Sequence, residues 1–129
     1  GLNDGLAPGA ITATPKQPLA MNAQLLAAAR GHSDWMLATD TFSHTGLNGS
    51  SAADRMALAG YANGTLSFVW AENIAFATGQ FVSGTAAERL SESLFRSPGH
   101  RANLLNDTYR EAGIGLREGE YQGNTPTAM

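Results

Sequence analysis

The chain has 129 residues, 43% hydrophobic and 15% charged, with a formal net charge of −3, and these values suit one globular domain with a single core. Its one lysine and its scattered arginines form no basic face, which makes nucleic acid an unfavourable partner. Zero cysteines exclude a disulfide framework, a thiol nucleophile and thiolate zinc ligands, and no apolar run approaches the roughly 20 residues of a membrane-spanning helix.

The first 18 residues predict an extended arm at the surface. Pro8, Pro15 and Pro18 alternate with several glycines, and both residue types favour extended and turn conformations over helix. No basic stretch followed by an apolar core opens the chain, as a signal peptide would require. We therefore assign the folded domain to residues 19–129 of a mature protein.

The longest helix is predicted directly after the arm. Asn22 is a candidate N-cap, and apolar residues recur at three- and four-residue spacings from Leu25 to about Ala38. His32 lies within this pattern, between alanines and Trp35. We interpret it as a half-buried helix histidine rather than as a metal ligand.

The middle of the chain predicts a short helix and then a strand. Ser51 can cap a helix that ends near Gly60, because Asp54 follows at the third helical position of a capping box. Residues 65–72 contain β-branched and aromatic side chains in partial alternation. This pattern favours a strand or an extended approach to Glu72.

The last third predicts two helices and a strand. Residues 85–95 return to helical spacing and place Glu88 and Glu92 towards water. Pro98 suits the first turn of a following helix, because the N–H that proline lacks is unpaired there in any case. Residues 112–116 predict a buried strand. Helices interleaved with a few strands indicate an α+β domain.

Three short strings combine ionisable side chains with neighbours that fix the backbone around them. They are Phe42-Ser43-His44-Thr45-Gly46, Ala71-Glu72-Asn73-Ile74-Ala75 and Ser97-Pro98-Gly99-His100-Arg101-Ala102-Asn103-Leu104-Leu105. Together they supply two histidines and one carboxylate, residue types that bind a metal or move a proton. The candidate site is therefore His44, Glu72 and His100.

These strings, with Glu111-Ala112-Gly113-Ile114-Gly115-Leu116 downstream, resemble the bacterial branch of the CAP superfamily. That superfamily also contains cysteine-rich secretory proteins, antigen 5 and plant pathogenesis-related proteins. The resemblance covers residues 19–116 and implies an α-β-α sandwich, in which helices cover both faces of a small antiparallel sheet. It also implies a protein that is secreted or held in the cell envelope, since such relatives are usually exported.

The resemblance further implies that His44, Glu72 and His100 meet in a central cleft, which holds a divalent metal in some members. Two imidazoles and one carboxylate leave a fourth position on zinc open to water, as a metal-dependent hydrolase or peptidase needs. Glu72 is then the candidate general base. Two alternatives remain: proton transfer without metal, and a His–Glu–His hydrogen-bond network that stiffens the cleft without catalysis.

The chain departs from the family pattern around this site. Leu94 stands where relatives carry a tryptophan, Ala71 replaces the glycine before Glu72, and we identify no fourth acidic residue. Asn73 is expected to bond local backbone in a tight connection. Arg101 and Asn103 are expected to hold the turn near His100.

Both ends of the chain look trimmed relative to the family. The last residues, 125–129, stand where a final strand is expected to start. A lost strand would leave unpaired backbone groups at the edge of the sheet, prone to pairing with another chain. We therefore predict either a fragment or a second chain that completes the sheet.

The leading functional hypothesis is an exported, non-enzymatic domain with a binding cleft. Its ligand is a lipid or another small apolar molecule, a surface component or a protein partner, as the family resemblance implies. The alternative is a metal-dependent hydrolase or peptidase, with zinc as the candidate metal in the same cleft. A third hypothesis is a structural module within a longer exported protein.

Overall fold

The computed structural model describes residues 1–62, 68–79 and 85–129. Four helices and five short strands alternate along these residues, so the predicted α+β class is confirmed. In chain order they are β1 (Ala20–Met21), α1 (Ala23–Ala38), α2 (Ala52–Leu58), β2 (Ala77–Thr78), α3 (Ala86–Arg96), α4 (Pro98–Leu104), β3 (Glu111–Ala112), β4 (Glu118–Tyr121) and β5 (Asn124–Ala128). One 3-10 turn, Leu47–Gly49, precedes α2.

Side-chain caps explain where α1, α2 and α3 begin, and a proline marks the start of α4. The Asn22 carboxamide oxygen accepts the backbone N–H groups of the first turn of α1, as predicted. Ser51 and Asp54 form the predicted capping box of α2, and Thr85 forms the same motif at the start of α3. Pro98 occupies the first turn of α4. In the described ranges, no helix has the length and apolarity to cross a membrane.

The main sheet has three antiparallel strands in the order β2-β5-β4. Successive residues of a strand point to opposite faces, and two residues at the end of the chain show the consequence. Ala128 packs with Leu90 of α3, whereas Met129 packs with Met36 of α1. Helices therefore cover both faces of the sheet, and the predicted α-β-α sandwich is confirmed.

Two predicted strands differ in the structure. Residues 68–72 belong to no strand, while 65–67 lie outside the described residues, and β2 begins only at Ala77. The predicted strand at 112–116 is reduced to β3. Beyond β3, Gly113 lies so close to α1 that a Cβ atom there would come 2.1 Å from the Leu25 carbonyl carbon. The segment therefore packs backbone against helix, and Ile114, on its other side, is exposed.

The end of the chain forms a strand at the place where one was expected to start. This strand is β5, and it is the middle strand of the sheet. The ladder continues past β5, because Met129 and Arg117 exchange both backbone hydrogen bonds. A parallel pair, β1 with β3, lies apart from this sheet and was not predicted. Completion of the sheet by a second chain stays a prediction.

The N-terminal arm turns back on itself rather than extending over its first ten residues. Gly5 and Gly9 adopt positive φ angles in successive turns, and Asn3 exchanges two hydrogen bonds with the backbone of Ile11. Buried Arg101 of α4 donates to the carbonyl groups of Leu2 and Asp4. Arg101 thus holds the arm against α4. It also donates to the carbonyl groups of Phe95 and Arg96 directly before α4, so its predicted role in holding the turn near His100 is confirmed.

Candidate functional site

His44 and Glu72 are in direct contact. Nδ1 of His44 lies 2.8 Å from Oε1 of Glu72, although the two residues are 28 positions apart. His44 comes from the loop after α1, and Glu72 from the irregular segment before β2. The His44 side chain is 58% exposed and that of Glu72 only 17%. An ionised carboxylate only accepts hydrogen bonds, so Nδ1 carries the proton and donates it.

Arg55 of α2 completes this pair, and sequence analysis missed it. Its Nη2 donates to Oε2 of Glu72 at 2.5 Å, and its Nη1 donates to the carbonyl groups of His44 and Ser50. The Arg55 side chain is 12% exposed. Both carboxylate oxygens of Glu72 are therefore occupied, one by an imidazole and one by a guanidinium group.

His32 fixes the His44 loop from the side of α1. It is 3% exposed, so it is more deeply buried than the predicted half-buried histidine. Its Nε2–H donates to the carbonyl group of Ser43 at 2.8 Å, and its ring stacks on Trp35. Nδ1 has no partner among the described residues. Burial lowers the pKa of His32, the Ser43 hydrogen bond opposes this, and the nearby Arg55 charge lowers it further.

Gly46 allows these groups to converge. A Cβ atom at this position would lie 3.0 Å from Arg55 Nη1, 3.0 Å from Ser50 Oγ and 3.1 Å from His32 Nδ1. Real Cβ atoms are rarely so crowded in a packed interior. Close packing of the loop between α1 and α2 therefore favours a glycine directly after the His44-Thr45 pair.

His100 has different partners from His44. Its Nδ1 hydrogen-bonds the Ser97 hydroxyl at 2.9 Å, at the start of its own helix. Its carbonyl group accepts from Nδ2 of Asn73, and Asn103 donates to the Asn73 side chain in turn. Asn73 therefore bonds α4, which corrects the expectation of a bond to local backbone. The two amides tie the segment that carries Glu72 to α4.

A cleft of about 340 Å³ opens between these segments. This volume lies within the range of small-molecule sites, which is roughly 300–1,000 Å³. Trp70 stands in its wall and is 43% exposed. The lining residues are His44, Thr45, Ser51, Ala52, Trp70, Ala71, Glu72 and Asn103. α4 thus contributes Asn103 to this lining.

Metal ligation was also predicted for His44, Glu72 and His100. Within residues 1–62, 68–79 and 85–129, no group of three or more His, Asp or Glu side chains lies close enough together to hold a metal ion. The structure brings two of the three predicted side chains together and bonds the third to Ser97. A metal site that includes all three stays a prediction.

Comparison with known families decides the classification. Residues 10–126 match the model of the cysteine-rich secretory protein family, CAP. The chain belongs to this family. The match extends on both sides of the 19–116 segment on which the sequence motifs lie, and it confirms the resemblance that those motifs indicated.

Two solved structures are similar to this CAP domain. An extracellular protein of Bacillus anthracis str. Ames containing an SCP domain is 30% identical, with a TM-score of 0.56 over 88% of this chain and 33% of its own length. An outer surface protein of Borrelia burgdorferi has the same fold, with a TM-score of 0.58, 20% identity, and coverage of 88% and 74%. This chain therefore spans about a third of the Bacillus anthracis protein. The search of curated proteins gave no significant match.

Proposed function

We propose that this CAP domain acts outside the cytoplasm, secreted or at the cell envelope, and binds a small ligand without chemical turnover. The ligand has an apolar body and one uncharged hydrogen-bond donor, such as an alcohol or a lipid with a free hydroxyl group. The location is supported by the two structural neighbours, one an extracellular protein and the other an outer surface protein.

The observation that carries the proposal is the orientation of the His44 ring. Because Nδ1 donates to Glu72, Nε2 of the neutral ring keeps a lone pair and acts as an acceptor. His44 lines the cleft and is largely exposed, so a ligand hydroxyl can reach it. Glu72 holds the ring in this tautomer, as a carboxylate does for many functional histidines.

The rest of the lining supports binding rather than turnover. Trp70, Ala52 and Ala71 supply apolar surface for the body of the ligand. Ser51 is the serine of the lining, and its hydroxyl both donates to Asp54 and accepts the Asp54 backbone N–H. Its proton and one of its two lone pairs are therefore used in the helix cap, which disfavours Ser51 as a nucleophile.

Calorimetric titration with 1-decanol and decanoate tests this proposal. The two probes share the apolar chain, but decanoate is ionised at neutral pH and has no proton to donate to Nε2 of His44. We expect saturable one-to-one binding of 1-decanol, weakened about fivefold in His44→Ala, the effect of one neutral hydrogen bond. His100→Ala is the matched control and should bind within twofold of wild type. No saturable binding, or equal affinity for decanoate, contradicts the proposal.

The competing proposal is a zinc-dependent hydrolase or peptidase that uses His44, Glu72 and His100. It requires His100 to leave Ser97 and join the other two side chains. Zinc titration of metal-stripped protein tests it, with the His44→Ala, His100→Ala double variant as control. Tight one-to-one binding that is lost in the double variant supports the metal proposal.

A further inference from the structure

Arg55 contacts the Glu72 carboxylate, which is the group in the cleft that would coordinate a cation. The guanidinium group lies 2.5 Å from Oε2, and His44 bonds Oε1, so a cation at the carboxylate must displace one of them or share an oxygen with it. Charge-assisted hydrogen bonds of this kind are among the strongest side-chain contacts. They are stronger still where both partners are shielded from water, as Arg55 and Glu72 are.

Arg55 is also held in place by the backbone. Its Nη1 donates to the carbonyl groups of His44 at 3.1 Å and of Ser50 at 2.9 Å. The capping box of Ser51 with Asp54 fixes the start of α2 directly before Arg55. Rotating the guanidinium group away from these partners would leave two carbonyl groups and one carboxylate oxygen without the donor that Arg55 supplies. The charge is therefore a fixed part of the site.

We infer that Arg55 determines the ligand class of the cleft, because its fixed charge excludes divalent cations and leaves His44 to uncharged hydrogen-bond donors. This inference rests on the proposed binding function. A divalent cation on Glu72 and His44 would have to displace Arg55 from Oε2 or lie close to its positive charge, and both are unfavourable. The donor set of the cleft thus does not fit the divalent metal that some relatives hold.

Zinc calorimetry on charge variants of position 55 tests the inference. Wild type should show no saturable zinc binding at His44, whereas Arg55→Gln should bind one zinc ion at least tenfold more tightly. The gain should vanish in the Arg55→Gln, His44→Ala double variant. Arg96→Gln is the matched control, since Arg96 also pairs with a carboxylate, Glu92, but on the exposed surface of α3. It should leave the wild-type result unchanged.

Two outcomes overturn the inference. The first is that wild type binds one zinc ion at His44 with an affinity within twofold of that of Arg55→Gln. The second is that Arg55→Gln shows no zinc binding beyond that of wild type. Circular dichroism establishes that each variant is folded, and Arg55→Met replaces Arg55→Gln if the latter does not fold. Arg55→Lys, which keeps the charge, must stay at the wild-type affinity. Titration of wild type with 1-decanol separates the two claims, because its failure removes the proposed function without changing the zinc result.

Discussion

The two motif histidines, His44 and His100, differ in how far their ring contacts reach. The His44 ring joins Glu72 and, through it, Arg55, so three separate segments meet at this end of the cleft. The His100 ring bonds Ser97 three residues earlier, within the start of its own helix. Two histidines that look equivalent in the sequence therefore have unequal roles. One belongs to a long-range ionic network, and the other ties a helix terminus.

The largest expected effect comes from removing the carboxylate at the centre of the network. Glu72→Ala leaves the largely buried Arg55 charge unpaired and the His44 ring without its acceptor. We expect a loss of about 3 kcal/mol in the free energy of unfolding. Urea unfolding measures it, and Glu92→Ala is the control, because its pair with Arg96 is exposed and contributes less than about 0.5 kcal/mol. Equal losses of unfolding free energy in the two variants would show that the Glu72 network contributes no more to stability than an exposed surface ion pair.

A pair of glycine substitutions compares the two histidine strings directly. Gly46→Ala places a methyl group against Arg55, Ser50 and His32, so we expect a loss of about 1–2 kcal/mol. Gly99, beside His100, has nothing within 4 Å of an added Cβ atom. Since it lies in α4, Gly99→Ala should be neutral or stabilise the protein by up to about 1 kcal/mol. Thermal unfolding of both variants gives the signs, and a destabilised Gly99→Ala contradicts this comparison.

The amide bridge between the two ends of the cleft predicts a smaller loss. Asn73→Ala removes the bond to the His100 carbonyl group and leaves Asn103 without its acceptor. About 1–2 kcal/mol of unfolding free energy should be lost. Asn103→Ala should cost less, because the bond between Asn73 and His100 survives. The reverse order of the two losses would show that Asn103 matters more than the bridge to His100.

The pH dependence of stability should carry a component from buried His32. Its pKa in the folded protein lies below the ordinary value of 6.5, chiefly because of burial. The unfolded chain therefore takes up this proton first as the pH falls, and stability decreases below about pH 6.5, by at most about 1.4 kcal/mol per pH unit for one proton. Urea unfolding at pH 5 and pH 7.5 measures the decrease. His32→Asn should reduce this loss of stability between pH 7.5 and pH 5. If the loss is the same in the variant, it arises from other groups.

Local signals made most of the fold predictable. Asn22, Ser51 and Pro98 mark helix starts through contacts with neighbouring residues, and the structure confirms the helices they begin. Strand pairing is set by distant partners instead. The chain at Gly113 therefore packs against the backbone of α1 rather than continuing β3. The alternating glycines Gly113 and Gly115 are compatible with such a close approach, but they do not identify α1 as the partner.

The candidate site was predicted only in part for the same reason. The family motifs contain His44 and Glu72, whereas Arg55 lies outside all three strings. One signal was present in the sequence: Arg55 is the only lysine or arginine between Arg30 and Arg89, and Glu72 is the only acidic residue between Asp54 and Glu88. Isolated opposite charges in apolar surroundings tend to pair when the chain folds. The ion pair of Arg55 with Glu72 can therefore be predicted from the sequence, whereas the contacts of Arg55 with loop carbonyl groups are visible only in the structure.

Long-range ¹⁵N–¹H NMR of the histidine rings shows which nitrogen carries the proton. It therefore tests whether Glu72 holds the His44 ring with Nε2 free to accept a hydrogen bond. The spectrum is recorded at pH 8, where an ordinary histidine is neutral, before and after addition of 1-decanol. We expect that His44 carries its proton on Nδ1, that its Nε2 signal shifts when the alcohol binds, and that the His100 signals do not respond. A His44 ring protonated on Nε2, or an Nε2 signal unchanged by bound alcohol, contradicts this expectation.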